Sequence, residues 1–500
     1  MNLVLICPIL VPFLTAVSCL LAWNNRNLQR IASAIGACAL FGCTLPLFLS
    51  VWLDGIQASQ MGNWPAPFGI TLVADLFSAS MVVLSGLTGL TVVIFSLAAI
   101  DAERENFGFH SLMHFLLMGV CGAFLTGDIF NLYVWFEVLL ISSFVLLQLG
   151  GEKAQLEGAI KYVTINLVSS ALFLTAIAIL YGLIGTLNMA DLAVQLKDVQ
   201  RKEMLTTVSI LFLLAFGIKA AIFPLFFWLP ASYHTPPAPV SAIFAGLLTK
   251  VGVYSLVRVF TLMFAAQDSA QIHQLLLAAA GLTMLTGILG ALVQNDFRRI
   301  LSFNLISHIG YMIMGLGMFT PLAIAGLVFY TVHDVIVKTC LFLVGGIIHR
   351  LGGTYKLSKL GGLYENRPLL AILFLAPALS LAGMPPLSGF WGKLALVKAG
   401  LDRGHYLIVA VALVVGLLTL YSMAIVWTEA FWKKAPDAGA LLPAPSLHNW
   451  LFYIVPVAIL ASLTILIGFF PEAFFDFAER SAEQLIDPTD YIKTVLGKST

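Results

Sequence analysis

Charge is what this sequence lacks. Of its 500 residues only 10% are Asp, Glu, Lys or Arg, while 60% are hydrophobic. That is too little charge to cover the surface of a soluble globular domain. The net charge of +1 excludes a basic footprint, so no nucleic acid is expected as a partner. The six cysteines (Cys7, Cys19, Cys38, Cys43, Cys121 and Cys340) all fall in apolar segments and form no CxxC pair. They read as small buried hydrophobes rather than as disulfides, metal ligands or iron–sulfur ligands. No GxxxxGK[ST] loop and no GxGxxG after a strand is present, and the histidines are too scattered for paired haem ligation. No cofactor and no metal is therefore expected. Redox or ATP energy would have to come from partner subunits; the other source is an ion gradient.

Long apolar stretches are what the sequence has, and each is long enough to span a bilayer core. Spans are expected at 3–23, 31–51, 73–99, 109–127, 129–149, 160–183, 205–229, 240–262, 274–293, 300–320, 322–348, 369–399, 406–432 and 449–470. The fold class is all-α, a polytopic protein of about fourteen transmembrane helices in a single membrane domain over 1–500. The first stretch lacks a basic n-region and a cleavage site, so it reads as a retained span. Basic residues sort the loops. Thirteen (Arg26, Arg30, Arg104, Lys153, Lys161, Arg298, Arg299, Arg350, Lys356, Lys359, Arg367, Lys433, Lys434) fall on one side and eight on the other. The richer side should be cytoplasmic, which places both termini outside. The amphipathic tail 471–500 follows the last span and should lie outside too.

Five basic residues remain inside spans: Lys219, Lys250, Arg258, Lys338 and Lys393. Ionisable groups in a bilayer cost several kcal/mol unless paired or hydrated, and they mark ion pathways more often than they fix helix register. Glu137 stands in NLYVWFEVLLISSF with no other charge nearby, and Lys219 stands about halfway along its span. A Glu137–Lys219 pair would be neutral and cheaper to bury than either charge alone. Burial favours the neutral amine and a carboxylate favours the ammonium, so such a pair suits proton transfer.

His333, Asp334 and Lys338 lie together in FYTVHDVIVKTCLFL, with His308 in the preceding span. Histidine relays protons near neutral pH, although a lone buried histidine is more often a satisfied core residue. His333 and Lys338 are five residues apart and face different directions on an ideal helix unless a π-bulge joins them. His234, in the loop SYHTPPAPV, is a candidate gate or a plain loop residue. Arg258, near the outer end of its span, is expected to snorkel in a structural role. Asp75 is an N-cap or an outer-channel group.

Two lysine-bearing spans carry helix breakers. Pro224 and Pro230 follow Lys219; Gly383, Pro385, Pro386 and Gly389 precede Lys393. Broken helices in a membrane line polar cavities, and a pair of them in two halves points to an inverted repeat. The lysine precedes the break in the seventh span and follows it in the twelfth. Two inverted five-helix repeats are expected, spans 4–8 over 109–262 and spans 9–13 over 274–432.

The segments GDIFNLYVWFEVLLISSFVLLQLG, WLPASYHTPPAPVSAIFAGLLTKVGVYSLVR, NDFRRILSFNLISHIGYMIMG, HDVIVKTCLFLVGG and GMPPLSGFWGK, in that order, resemble one family. It is that of the antiporter-like subunits shared by Mrp-type multisubunit cation/proton antiporters, respiratory complex I and membrane-bound hydrogenases. GDIFNLYVWFEV and HTPPAPVSA…LLTKVGVY look most like the D-type subunits of the Mrp antiporters. The resemblance implies a proton relay through Glu137, Lys219, Lys250, His333, Lys338 and Lys393, with Glu137 and Lys219 as an ion pair. It implies a secondary transporter subunit rather than an enzyme, in a bacterial inner membrane, working beside other membrane subunits on protons and Na⁺ or K⁺. The alternative is the proton-pumping membrane subunit of a redox complex.

Overall fold

The computed structural model describes residues 3–265, 270–435 and 446–497. The end of the expected tail, with Lys498, lies outside the described residues. Helix α1 (Leu3–Leu21) leads to α2 (Arg26–Asp54), which Asn25 caps. A short antiparallel hairpin follows, β1 (Gln57–Gln60) against β2 (Thr71–Ala74), in the register Gln57 to Ala74. Next come α3 (Leu76–Ala99), α4 (Ala102–Asn106), α5 (Phe109–Leu125), α6 (Ile129–Gln148), α7 (Lys153–Ile184) and α8 (Met189–Gln195). Then come α9 (Lys202–Ala220) and α10 (Trp228–Ser232). Helix α11 (Ala238–Ile243) runs through a π-turn at Phe244–Leu248 into α12 (Thr249–Arg258). Beyond it lie α13 (Ala270–Leu292), α14 (Phe297–Met318), α15 (Pro321–Gly352), α16 (Leu363–Asn366), α17 (Pro368–Ala382), α18 (Ser388–Asp402), α19 (Tyr406–Val426) and α20 (Leu447–Phe469). The chain ends in α21 (Pro471–Ile486) and α22 (Thr489–Leu496).

Among the described residues twelve helices are long and apolar enough to cross a membrane, and the apolar helices α5 and α17 are shorter. Exposed Leu21, Ile35, Leu53, Ile141, Leu407 and Leu417 give the bundle an apolar outer surface, as lipid requires. The α11–α12 rod and the central part of α15 are buried, so Lys250, His333, Asp334 and Lys338 sit in the protein interior.

The proline breaks fall earlier than the sequence suggests. A proline ring clashes with the carbonyl four residues before it. Helix α9 accordingly stops at Ala220, four before Pro224, and α17 stops at Ala382, four before Pro386. The stretches 205–229 and 369–399 are each two helices, as the helix breakers in them lead one to expect. Lys219 lies in the last turn of α9, not halfway along a span.

One further expectation is corrected. Cys38 is exposed on the apolar surface, and Cys7 and Cys43 are half-buried, so only Cys19, Cys121 and Cys340 are buried. The tail is amphipathic as expected, and it packs back on the bundle: Phe477, Ala478 and Leu485 are buried. Gln484 Oε1 accepts from the Leu76 backbone at 2.9 Å, and the Arg480 guanidinium donates to the Trp52 carbonyl at 3.1 Å.

Candidate functional site

The site is a row of buried ionisable groups through the middle of the bundle. Its centre is an ion pair. Lys250 on α12 and Asp334 on α15 are wholly buried, with Nζ and Oδ2 2.6 Å apart. The π-turn before Lys250 frees a carbonyl, and Lys250 Nζ donates to it at Ala245 over 2.7 Å. Close packing brings the partners together. A Cβ at Gly246 would lie 2.3 Å from Thr339 Oγ1, so only glycine lets α15 approach the π-turn this closely. The π-bulge that could have joined His333 to Lys338 is absent from α15, which is an unbroken helix; the π-turn lies before Lys250 instead.

From Asp334 the row continues into the second half. His308 Nδ1 is 3.6 Å from Asp334 Oδ1 and 2.5 Å from the Tyr330 hydroxyl. His333 Nδ1 is 2.8 Å from Ser388 Oγ, which is 2.9 Å from Ser380 Oγ. Lys393, five residues beyond Ser388 on α18, donates to the Leu381 and Ala382 carbonyls at 2.9 and 3.0 Å, the bare carbonyl end of α17. Its Nζ also sits 4.8 Å from the Tyr311 ring centre. Lys338 is wholly buried, and its Nζ has no protein hydrogen-bond partner. His308 Nε2 and His333 Nε2 are likewise unpartnered.

In the first half, Lys219 is buried, 3.5 Å from Ser170 Oγ and 4.7 Å from the Phe136 ring centre. Gly252 packs α12 onto this turn; a Cβ there would lie 2.6 Å from the Ala220 nitrogen. The Glu137–Lys219 ion pair is not formed. Glu137 is half-buried, its Oε1 has no hydrogen-bond partner, and no cation lies within 4 Å of it among the described residues. The Phe136 ring and Ser170 occupy the immediate surroundings of the ammonium instead.

Four other groups have defined places off the row. Asp75 is the N-cap of α3, accepting from Ser78 N at 2.8 Å in a capping box. Its other oxygen lies 2.6 Å from Arg258, so Arg258 is buried in an ion pair and does not snorkel. A carboxylate on a neighbouring element made burial the better choice. His234 accepts from Arg299 at Nε2 (3.2 Å) and donates from Nδ1 to the Pro230 carbonyl (2.7 Å). Its imidazole is pushed down to about 4, first by burial and then by the charges of Arg299 and Arg298. On the basic side of the bundle, burial raises the Glu105 carboxyl, but His110 and Arg30 more than offset this and hold it below its ordinary 4.5.

Sequence reasoning leaves three members of the row out of its candidate set: Asp334, Tyr330 and Ser388. Asp334 enters it only as a neighbour of His333. The rule that singles out the lysines, an ionisable residue in an apolar run, applies to it equally. The hydroxyls carry no such mark.

A nearly all-helical membrane bundle with two interrupted helices and a buried row of lysines is the architecture of an antiporter-like membrane subunit. Residues 126–419 match the family described as NADH:quinone oxidoreductase/Mrp antiporter, TM, and the chain belongs to that family. It is 46% identical over 498 residues to the D-type subunit of the Na(+)/H(+) antiporter of Alkalihalophilus pseudofirmus, covering 99% of this chain and 100% of that protein. Among solved structures it resembles a chain of the Mrp complex from Dietzia sp. DQ12-45-1b, with a TM-score of 0.92 and 30% identity over 99% of this chain and 100% of that one. A chain of respiratory complex I from Thermus thermophilus matches with a TM-score of 0.82 and 26% identity, over 97% and 100% respectively.

Proposed function

We propose that this chain is the D-type, proton-translocating subunit of a multisubunit monovalent cation (Na⁺ or K⁺)/proton antiporter. It sits in a bacterial inner membrane with fourteen passes and both termini outside, against lipid and other membrane subunits. α5–α12 and α13–α19 hold the two inverted repeats. The observation that carries the reading is the wholly buried Lys250–Asp334 pair, set between Lys219 on one side and the His308, His333 and Lys393 groups on the other.

A proton entering at Lys219 passes to Lys250, whose hold on Asp334 is then exchanged. It moves on through His308 and Tyr330 or through Lys338 to His333, Ser388 and Lys393. The unpartnered Lys338 Nζ, His308 Nε2 and His333 Nε2 have capacity free to bind the moving proton or the water that carries it. Glu137 acts at a distance, its charge felt by Lys219 without contact. A row of ammonium groups repels Na⁺, which wants oxygen ligands, so protons are the ion it suits.

The test is cation/proton antiport in everted vesicles from an antiporter-deficient bacterium. The vesicles carry the intact operon with wild-type Lys219 or Lys219→Ala. Sodium-dependent dequenching that disappears in the variant, at equal membrane levels, supports the reading. A second reading is favoured by the match to complex I: the proton-pumping membrane subunit of a redox complex. Vesicles that show no antiport but acidify on oxidising a donor, together with neighbouring dehydrogenase and iron–sulfur genes, would establish it in place of the first.

A further inference from the structure

A cavity of about 300 Å³ opens on the basic side of the bundle, away from the buried row. Its walls come from the ends of α3, α7, α14, α15 and α20 and from the turn at residues 235–239. Its lining is rich in cations. Arg104, Arg298 and Arg350 all face it, with one carboxylate, Glu152. That carboxylate is already neutralised, because Arg104 pairs with Glu152 at 2.8 Å and with Asp101 as well. No carboxylate among the described residues lies within 4 Å of the Arg298 or the Arg350 guanidinium. Neither of these guanidinium groups is in an ion pair, and the Asp296 carboxylate, two residues from Arg298, contributes one negative charge near the lining.

Arg298 is held in place as a ligand-binding arginine would be. Its Cζ lies 3.7 Å from the centre of the Tyr355 ring, and one end of the guanidinium donates to the Pro236 carbonyl at 2.7 Å. Its Nε, screened from solvent, has no partner. A buried donor with nothing to bond to is costly, and a planar guanidinium suits the oxygens of a tetrahedral oxyanion. The volume is that of a small-ligand pocket, and three arginines against one lining carboxylate favour an anion in it.

We propose that this cavity is a binding site for a phosphate group, with Arg298 and Arg350 as its cationic ligands. Free phosphate and the headgroup of an anionic phospholipid share that chemistry. The site lies against residues 235–239, the turn that leads from α10, beyond the break that follows Lys219, into the Lys250-bearing rod. Through the Arg298–Pro236 hydrogen bond, a bound phosphate braces that turn.

Binding is read directly, so the outcome is independent of whether the chain transports protons. The full-length chain, purified with its companion subunits, is titrated calorimetrically with inorganic phosphate. It is also reconstituted in nanodiscs of phosphatidylcholine with or without phosphatidylglycerol, and retained lipid is measured. Saturable phosphate binding that weakens tenfold or more in Arg350→Gln and in Arg298→Gln supports the site. Selective retention of phosphatidylglycerol, lost in the same variants, supports it with the headgroup as the source. Arg350 is exposed and bonds to no backbone, so that variant keeps the test valid if Arg298→Gln fails to fold. Lys398→Gln, an exposed lysine elsewhere, should leave both readouts unchanged. Absence of both kinds of binding, or equal loss in Lys398→Gln, overturns the proposal.

Discussion

Replacing the central ion pair separates a relay from a structural brace. At 2.6 Å the attraction between Lys250 and Asp334 is about 6 kcal/mol at an effective dielectric of about 20. Removing two ions from water costs several kcal/mol each, so the intact pair contributes little net stability. Breaking it is another matter. Asp334→Leu leaves a wholly buried ammonium with the Ala245 carbonyl as its one remaining hydrogen-bond acceptor. The expected loss is about 3–5 kcal/mol, two to three and a half powers of ten in the folding equilibrium. Lys250→Met should cost a similar amount for the converse reason. The double variant Lys250→Met/Asp334→Leu fills the same space with apolar atoms, and it should recover most or all of that loss. Thermal midpoints of the purified complex give the stability cycle, and sodium-dependent dequenching in everted vesicles gives transport. The relay reading requires a double variant that is stable and inactive. If that variant assembles and exchanges ions at more than half the wild-type rate, the pair holds helices together and carries no proton.

Glu137→Ala should abolish antiport while changing stability by less than about 1 kcal/mol, since no ion pair is lost; full activity at normal membrane levels would remove Glu137 from the mechanism. Gly389→Ala should lower the amount of assembled protein sharply. Its Cβ would lie 1.9 Å from the Ser380 carbonyl oxygen and 2.8 Å from the His333 ring, and a backbone atom cannot step aside. An unchanged thermal midpoint would contradict this packing. For His234 the sign follows from a folded-state value of about 4, below the ordinary 6.5. Between these values the unfolded chain binds the proton and the folded one does not, so stability rises with pH through the window and is level above it. His234→Gln should lose that acid-side dependence and leave the antiport profile above about pH 7 unmoved. A shifted profile would make His234 part of the proton path.

Composition was sufficient for the class of fold, because a chain this poor in charge has nowhere to bury its apolar surface but lipid. The lysines were legible for a related reason: an ammonium in an apolar run is costly wherever the helix goes. What pairs with each lysine was not legible. Lys250 finds Asp334 only because Gly246 lets α15 close on the π-turn, and that contact joins segments far apart in the chain. Glu137 and Lys219 suit a neutral buried pair, yet they are not within 4 Å of each other, and Ser170 Oγ lies 3.5 Å from the ammonium. The breaks were visible as prolines, but their position depends on a clash four residues upstream. That offset moves Lys219 from mid-helix to a helix end.

The two broken helices also make their lysines unequal, which leads to a last expectation. Side chains on a helix lean toward its N-terminus. Lys393 follows its break, so its side chain leans back to the carbonyls at the end of α17 and satisfies two of them. Lys219 precedes its break, so the same lean carries it away from the loose carbonyls of α9. The Trp228 indole takes one of those instead, donating to Ile218 at 2.9 Å, and Lys219 is left with Ser170 at 3.5 Å. Removing Lys393 therefore orphans two buried carbonyls, at about 1–3 kcal/mol each, whereas removing Lys219 orphans none. Lys393→Ala should lower the thermal midpoint of the complex clearly more than Lys219→Ala, although both should stop antiport. Equal midpoints would mean that the α17 carbonyls find other partners, and that Lys393 is held as loosely as Lys219.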